Sequence, residues 1–506
     1  MLAGSLPERP SLEQVRKQAK DLRAGVRAGH PKHIWLVREL HPRPTVTDEA
    51  ARAAFTLGDA QLVIARSYGF ASWRRLRAYL DVAARYGRTP YAEPTETGGP
   101  AEQFLRLACL TYGPDNDADL PHRRRRARDA LAAHPELTSG NIHAAAAVGD
   151  VVAASAVLSA NASLASRDGG PYDWPPLLYL ALSRAHYVRP GWSTLDVARL
   201  LLAHGADPNA GYLPAGEPPP VTALSGAFHG RRDPIRQPAH RHGLALARLL
   251  LEAGADPNDA QAVSNAGGYP YDDAHFDLLF RHGLGRDSVG PWRKRIGQHP
   301  RLPGPRRLVQ EELWYAAERN LPGRVRLLLH HCAVLHIDIE AVDDAGRTAH
   351  DLAMLGGNVE VADLLAAAGA RTRPLDPADH VVAACLRADG PAVRRLLAAD
   401  EGLAVRAIAA HPHALHQAAA LDRPDAVRLL VSIGFPVNDA RMSPLHTAAV
   451  CGHLDVVMML VDLDADPMAA ATDDTPGQFA PSDPTPAGWA RHSGHTEVVE
   501  YLTARS

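Results

Sequence analysis

Arg441 to Pro467 reads RMSPLHTAAVCGHLDVVMMLVDLDADP, and its spacing decides the fold. Ser443-Pro444-Leu445-His446 opens a short helix, with a hydroxyl placed to cap it and proline where no N–H is needed. Small Ala448 and Ala449 let a second helix approach closely, and Cys451-Gly452-His453 turns the chain. Val456, Val457, Leu460 and Val461 line one face of that second helix at i, i+1, i+4 and i+5. Asp464 stands where glycine normally ends such a helix, a left-handed position that aspartate tolerates.

The same design recurs on both sides. Val197 to Leu202 is followed by Ala203-His204-Gly205-Ala206-Asp207-Pro208-Asn209, Leu246 to Asn258 repeats that close, and Phe276 to Gly283 echoes it. Gly205, Gly254, Gly283, Gly369 and Gly434 each follow a helix end, where a left-handed residue costs glycine least. Further units lie at Trp314–Leu329, Thr348–Ala368, Val381–Ala398 and Leu415–Gly434, and Thr485–Leu502 ends the series without a closing loop. These residues resemble the ankyrin repeat, whose pattern is a TPLHxAA helix, a GH turn, a VVxxLL helix and a GADPN loop. The resemblance implies an all-α solenoid of about eleven helix-turn-helix units, at ~33 residues each, spanning 103–506 with a C-terminal cap at 483–506. It also implies recognition of a protein or peptide partner, since such arrays bind across a concave face and loop tips.

A chain of 506 residues with 46% hydrophobic content buries ample apolar surface, and a solenoid grows by adding repeats. The formal charge of −3 hides an asymmetry: residues 1–90 carry sixteen Lys+Arg against eight Asp+Glu. The rest is acidic, so the two parts suit different partners. Cys109, Cys332, Cys385 and Cys451 are far apart in helical contexts, which fits a reducing cytoplasm and no disulfide framework. Neither a signal peptide nor an apolar run long enough to span a membrane is evident, so a cytoplasmic location is expected.

Residues 1–87 read as a basic helical module and 88–102 as a Pro/Gly/Thr-rich linker. A second helix of the module holds Ile34, Trp35, Leu36 and Leu40. Asp59 to Leu76 has the pattern DAQLxxAxxYGFxSWxxL, which resembles an N-terminal segment of bacterial ankyrin-repeat proteins. It also has the outline of a helix-turn-helix, so nucleic-acid binding through residues 60–80, with Arg74, Arg75 and Arg77 on phosphates, is one reading. Two helices packed around Phe70 and Trp73 is the plainer one. The run His122-Arg123-Arg124-Arg125-Arg126 reads as the solvated start of a repeat's second helix.

Regularity breaks between 170 and 313, where long loops interrupt the helix pairs. Fourteen of the 28 Phe, Trp and Tyr residues lie between 170 and 315, and only four follow. Rings in Pro- and Gly-rich loops commonly form recognition surfaces. Tyr172, Trp174, Tyr187, Trp192, Tyr212, Tyr269, Tyr271 and Trp292 are therefore the expected partner- or ligand-binding residues. The competing expectation is that these rings cover the inserted loops themselves.

Chemistry at that region is the alternative. Asp272, Asp273, His229 and Tyr271 would serve a cofactor-independent lyase, isomerase or cyclase acting on a small apolar ligand, with ring desolvation tuning the acid and base. No nucleophile elbow, phosphate loop or dinucleotide fingerprint accompanies them. No cofactor and no metal are expected: His330-His331-Cys332 falls where a repeat's second helix should end, with Cys332 in place of glycine, and His416 matches the TPLH histidine.

Overall fold

Capping chemistry sets where helices begin. Ser11, Asp48, Thr56, Ser72, Asn141, Asp150, Ser193 and Thr348 each accept a backbone N–H at a helix start, satisfying donors that the helix itself leaves open. The computed structural model describes residues 6, 11–42, 46, 48–92, 96–113, 119–185, 189–228, 236–268, 271–299, 301–438, 442–471 and 483–505. The chain divides into two compact units, Met1–Gly113 with Asp119–Pro305, and Arg306–Ser506. The basic N-terminal module therefore shares a unit with the irregular region, and the division falls after 305.

In the first unit, five helices precede the repeats: Leu12–Arg27, Pro31–Leu40, Glu49–Ala54, Leu57–Ser67 and Trp73–Tyr86. Val15, Ala19, Leu22, Val26, Val37, Val63 and Phe70 are buried. Five helix pairs follow among the described residues. They are Pro100–Ala108 with Pro121–Ala133, Ile142–Val148 with Val151–Ala160, and Pro176–Leu182 with Thr194–Ala203. The last two are Ala223–Ala227 with Gly243–Glu252 and Ala260–Ala266 with Asp273–Arg281. First helices stack on first helices, and second on second from Val151–Ala160 onward. The arginine run is part of this framework: Arg123 donates to the Arg106 carbonyl at 2.7 Å, and Arg124 to those of Asp119 and Arg236 at 2.9 and 2.8 Å.

The second unit holds six pairs among its described residues, from Pro305–Glu318 with Pro322–Leu335 to Pro486–His492 with Thr496–Thr503. One pair departs from the pattern. After Gly390–Ala399 an extra helix, Leu403–Ala410, buries Leu403 and Ala407 and packs on Pro377–Leu386.

Two sets of hydrogen bonds stitch neighbouring pairs. In the closing loops, Asn209, Asn258 and Asn438 each donate to a carbonyl of the next unit (Gly254 at 3.0 Å, Gly283 at 3.4 Å, Asp464 at 3.0 Å) and accept an N–H two residues beyond it. Between the helices of a pair, the residue after the turn reaches back to the previous first helix. Asn358 reaches Glu318 O, Arg423 reaches Leu386 O, His453 lies 3.2 Å from Ala420 O and His495 3.0 Å from Val450 O. These bonds satisfy terminal carbonyls that a helix cannot.

The left-handed turns fall where expected. Gly205, Gly254, Gly283, Gly369 and Gly434 have φ between 88° and 105°, and Asp464 has φ 64°. One helix end is different: Pro322–Leu335 runs through His331 and buried Cys332 to a left-handed His336. The fold is mostly helical, but a small sheet qualifies the all-α expectation. Strand Gly211–Pro214 pairs antiparallel with Val221–Thr222 and parallel with Gly87–Arg88. Residues 87 and 88, expected at the end of a module and the start of a linker, are thus paired backbone.

Candidate functional site

Among the described residues, most of the inserted rings point inward. Trp174 is 1% exposed, Tyr212 1% and Tyr172 5%. Trp174 packs at 4.6 Å from Tyr172, 5.2 Å from Tyr179 and 5.0 Å from Tyr212, the last pair stacked. The hydroxyls of Tyr172 and Tyr212 donate to the carbonyls of Arg106 and Thr111. Trp292 is buried, donates its N–H to Asn209 O at 2.9 Å and meets Tyr86 edge-on at 5.1 Å. The expectation of a recognition surface is therefore corrected for Tyr172, Trp174, Tyr212 and Trp292, which fill the interior. Trp192 is half-buried under Arg189, and Tyr271 is exposed. Tyr187, Tyr269 and His229 lie outside the described residues.

What the insertions seat is the N-terminal module of the same chain. Tyr79 donates to Gly216 O at 2.5 Å, and Ala215 N–H donates to Arg88 O at 3.0 Å. Phe70 and Tyr79 close on the His299 ring at 5.2 and 5.0 Å. The Arg295 guanidinium lies over both Tyr86 and Trp292. Arg75 donates to Gln298 at 2.8 Å, Arg88 pairs with Asp173 at 2.7 Å, and Arg301 pairs with Glu217. Burial, reinforced by the Arg301 charge, pushes the His299 imidazole down to about 4. The apolar side of Trp73–Tyr86, the helix that a helix-turn-helix reading would lay in a groove of DNA, is covered by this clasp.

Of the acid–base candidates, Asp273 is half-buried in the first turn of Asp273–Arg281. Asp272 caps Asp273–Arg281 by accepting the Ala274 N–H at 2.9 Å and is exposed, as is Tyr271. Among the described residues no group of three or more His, Cys, Asp or Glu is placed to hold a metal ion.

A groove of about 460 Å³ opens in the second unit, along its first helices. Leu352, Leu355 and Val382 supply apolar lining, and Glu318, Arg319, His411, His413 and Gln417 supply polar groups. The extra helix builds one wall. His411, just past its end, lies with Nε2 2.6 Å from Asp379 Oδ1, which ties the Pro412 turn back to Pro377–Leu386. Arg319 packs over the Tyr315 ring, while Arg347 is doubly bonded to Asp343 at 2.9 and 3.1 Å.

A local exchange shapes the same wall. At the start of Pro444–Cys451 the Ser443 N–H donates to His446 Nδ1 at 3.2 Å, while His446 Nε2 reaches Pro484 O at 3.0 Å. One unit earlier His413 stands in place of serine. His416 still reaches Met442 O with Nε2 at 2.7 Å, but its buried Nδ1 has no hydrogen-bond partner. Reading the sequence did not find this groove. Its one signal was Leu403-Ala404-Val405-Arg406-Ala407-Ile408, an i, i+4 pattern longer than a closing loop requires.

Among the described residues no helix is long and apolar enough to cross a membrane. No curated protein matches the chain. The family described as ankyrin repeats matches residues 381–471 in three copies, a segment that contains the His411–Gln417 wall of the groove.

Proposed function

We propose that the chain is a binding scaffold whose second unit holds a segment of a partner protein in the groove between Glu318 and Thr447. The carrying observation is the groove itself, about 460 Å³ with a mixed lining of apolar Leu352, Leu355 and Val382 and polar Glu318, His411, His413 and Gln417. Its apolar lining lets apolar side chains leave water, and its imidazoles, amide and charged groups can meet a polypeptide backbone. That mixture suits an extended peptide better than a small apolar ligand. The ankyrin repeats at 381–471 support the reading, because such repeats generally mediate protein interactions.

The test places a photo-crosslinking amino acid at His413, in the groove, and separately at Tyr271, on the inserted region, in the full chain within its native cell. A discrete protein adduct from position 413 and none from 271 supports the reading. An adduct from 271 alone returns recognition to the inserted region.

A further inference from the structure

Among the described residues, the groove of the second unit holds one guanidinium without a carboxylate partner. Arg347 is held by Asp343, and the His411 imidazole by Asp379. Arg319 makes no ion pair and no side-chain hydrogen bond there. Its backbone N–H donates to Tyr315 O at 3.0 Å, so it continues the last turn of Pro305–Glu318, and its guanidinium lies 5.5 Å over the Tyr315 ring. The stacking keeps the cation half-buried and pre-organised, with less freedom to lose on binding than a solvated lysine.

The charge is directed into the groove. Burial pushes the Cys451 thiol up, and Arg319 pulls against it. Thr447, one turn before Cys451 on Pro444–Cys451, lines the groove together with Arg319, so the field crosses the groove instead of facing bulk water. Neighbouring carboxylates are engaged elsewhere. Asp422, which raises the same thiol, lies 3.9 Å from His453. Asp351 accepts the Thr348 N–H and lies 3.8 Å from Arg373. Glu318 has no such partner, but it is exposed and one position round the helix from Arg319, about 100° away, so water solvates it. The other uncommitted polar groups can all donate. The Gln417 amide, the Thr447 hydroxyl and the His413 imidazole line the same groove, and among the described residues none makes a side-chain hydrogen bond.

We infer, on the reading that this groove is the partner site, that the partner segment carries a side-chain carboxylate, Asp or Glu, that pairs with Arg319 between apolar residues resting on Leu352, Leu355 and Val382. A guanidinium takes a carboxylate through two parallel N–H bonds, which makes Arg319 the residue that selects among segments of similar apolar content.

A random peptide library displayed on phage and panned against the full chain tests this. Wild type should enrich sequences that share one Asp or Glu between apolar positions. A synthetic peptide of that sequence, amidated at its C-terminus, should bind wild type and lose roughly ten- to a hundredfold in affinity for Arg319→Gln, which removes the charge but keeps part of the stem over Tyr315. Glu318→Gln should not weaken it, and panning Arg319→Glu should enrich Lys or Arg at the acidic position. Enriched peptides that are lost in Gln417→Trp, which fills the groove, yet share no acid would overturn the inference while the groove reading stands. Peptides indifferent to Gln417→Trp, or no enrichment at all, would remove the groove reading and the inference with it. A requirement for a free C-terminal carboxylate would overturn the assignment to a side chain.

Discussion

Trp174→Ala separates an interior ring from a recognition ring. The indole is 1% exposed and touches three tyrosine rings within 5.2 Å, so its removal leaves a cavity that rigid neighbours cannot fill. Truncations of this kind cost about 3–5 kcal/mol, and ring pairs add ~0.5–1.5 kcal/mol each beyond burial, which places this site at the upper end. For a folding unit near 300 residues, with about 2 °C lost per kcal/mol, the melting transition should fall by roughly 6–10 °C. Calorimetry of the full chain reads this as a shift of one transition while the second unit's transition holds. Trp174→Phe is the control: it keeps a ring and removes an indole N–H that has no partner, so it should cost less than half as much. A Trp174→Ala chain that melts like wild type yet loses its partner would refute the packing argument and restore the surface one.

Three further outcomes follow from named contacts. Tyr79→Phe removes the donor to the buried Gly216 carbonyl and should destabilise the clasp by about 1–3 kcal/mol, read as faster proteolysis within 85–92 without change in the second unit. His299, held down to about 4 by burial and Arg301, binds a proton more readily unfolded than folded. Its contribution is thus present above the ordinary histidine value and is lost as pH falls through about 4; the first unit's stability should decline across that window, and His299→Phe should flatten the decline. Arg423→Ala loses bonds to Gly356 O, Leu386 O and Asn358 Oδ1 and should cost about 1.5–3 kcal/mol in the second unit by denaturant unfolding, whereas Arg423→His should recover part of it, since His453 and His495 do the same task.

Helical periodicity and turn chemistry were legible because both are local. The left-handed glycines, Asp464 and the Asn-bearing loops follow from steric rules that act over a few residues. The role of the inserted rings was not legible. Whether Trp174 faces water depends on Tyr212, 38 positions away, and whether Trp292 does depends on Tyr86, more than 200 away. Trp35 is the converse case: it sits in an apolar-looking run, yet the helix turns Val37 inward and leaves the indole outside. The groove depended on Asp379 capturing His411 from the far end of an extra helix, a pairing that spacing does not announce.

Hydrogen exchange across 79–92, 211–217 and 296–304 tests most directly the claim that the irregular region seats the chain's own N-terminal module. The account predicts that the Ala215 amide, bonded to Arg88 O, exchanges as slowly as amides in the core helices, and that all three segments lose protection together in Tyr79→Phe. Exchange of Ala215 and its neighbours at the rate of an unstructured linker, unchanged by that substitution, would contradict it.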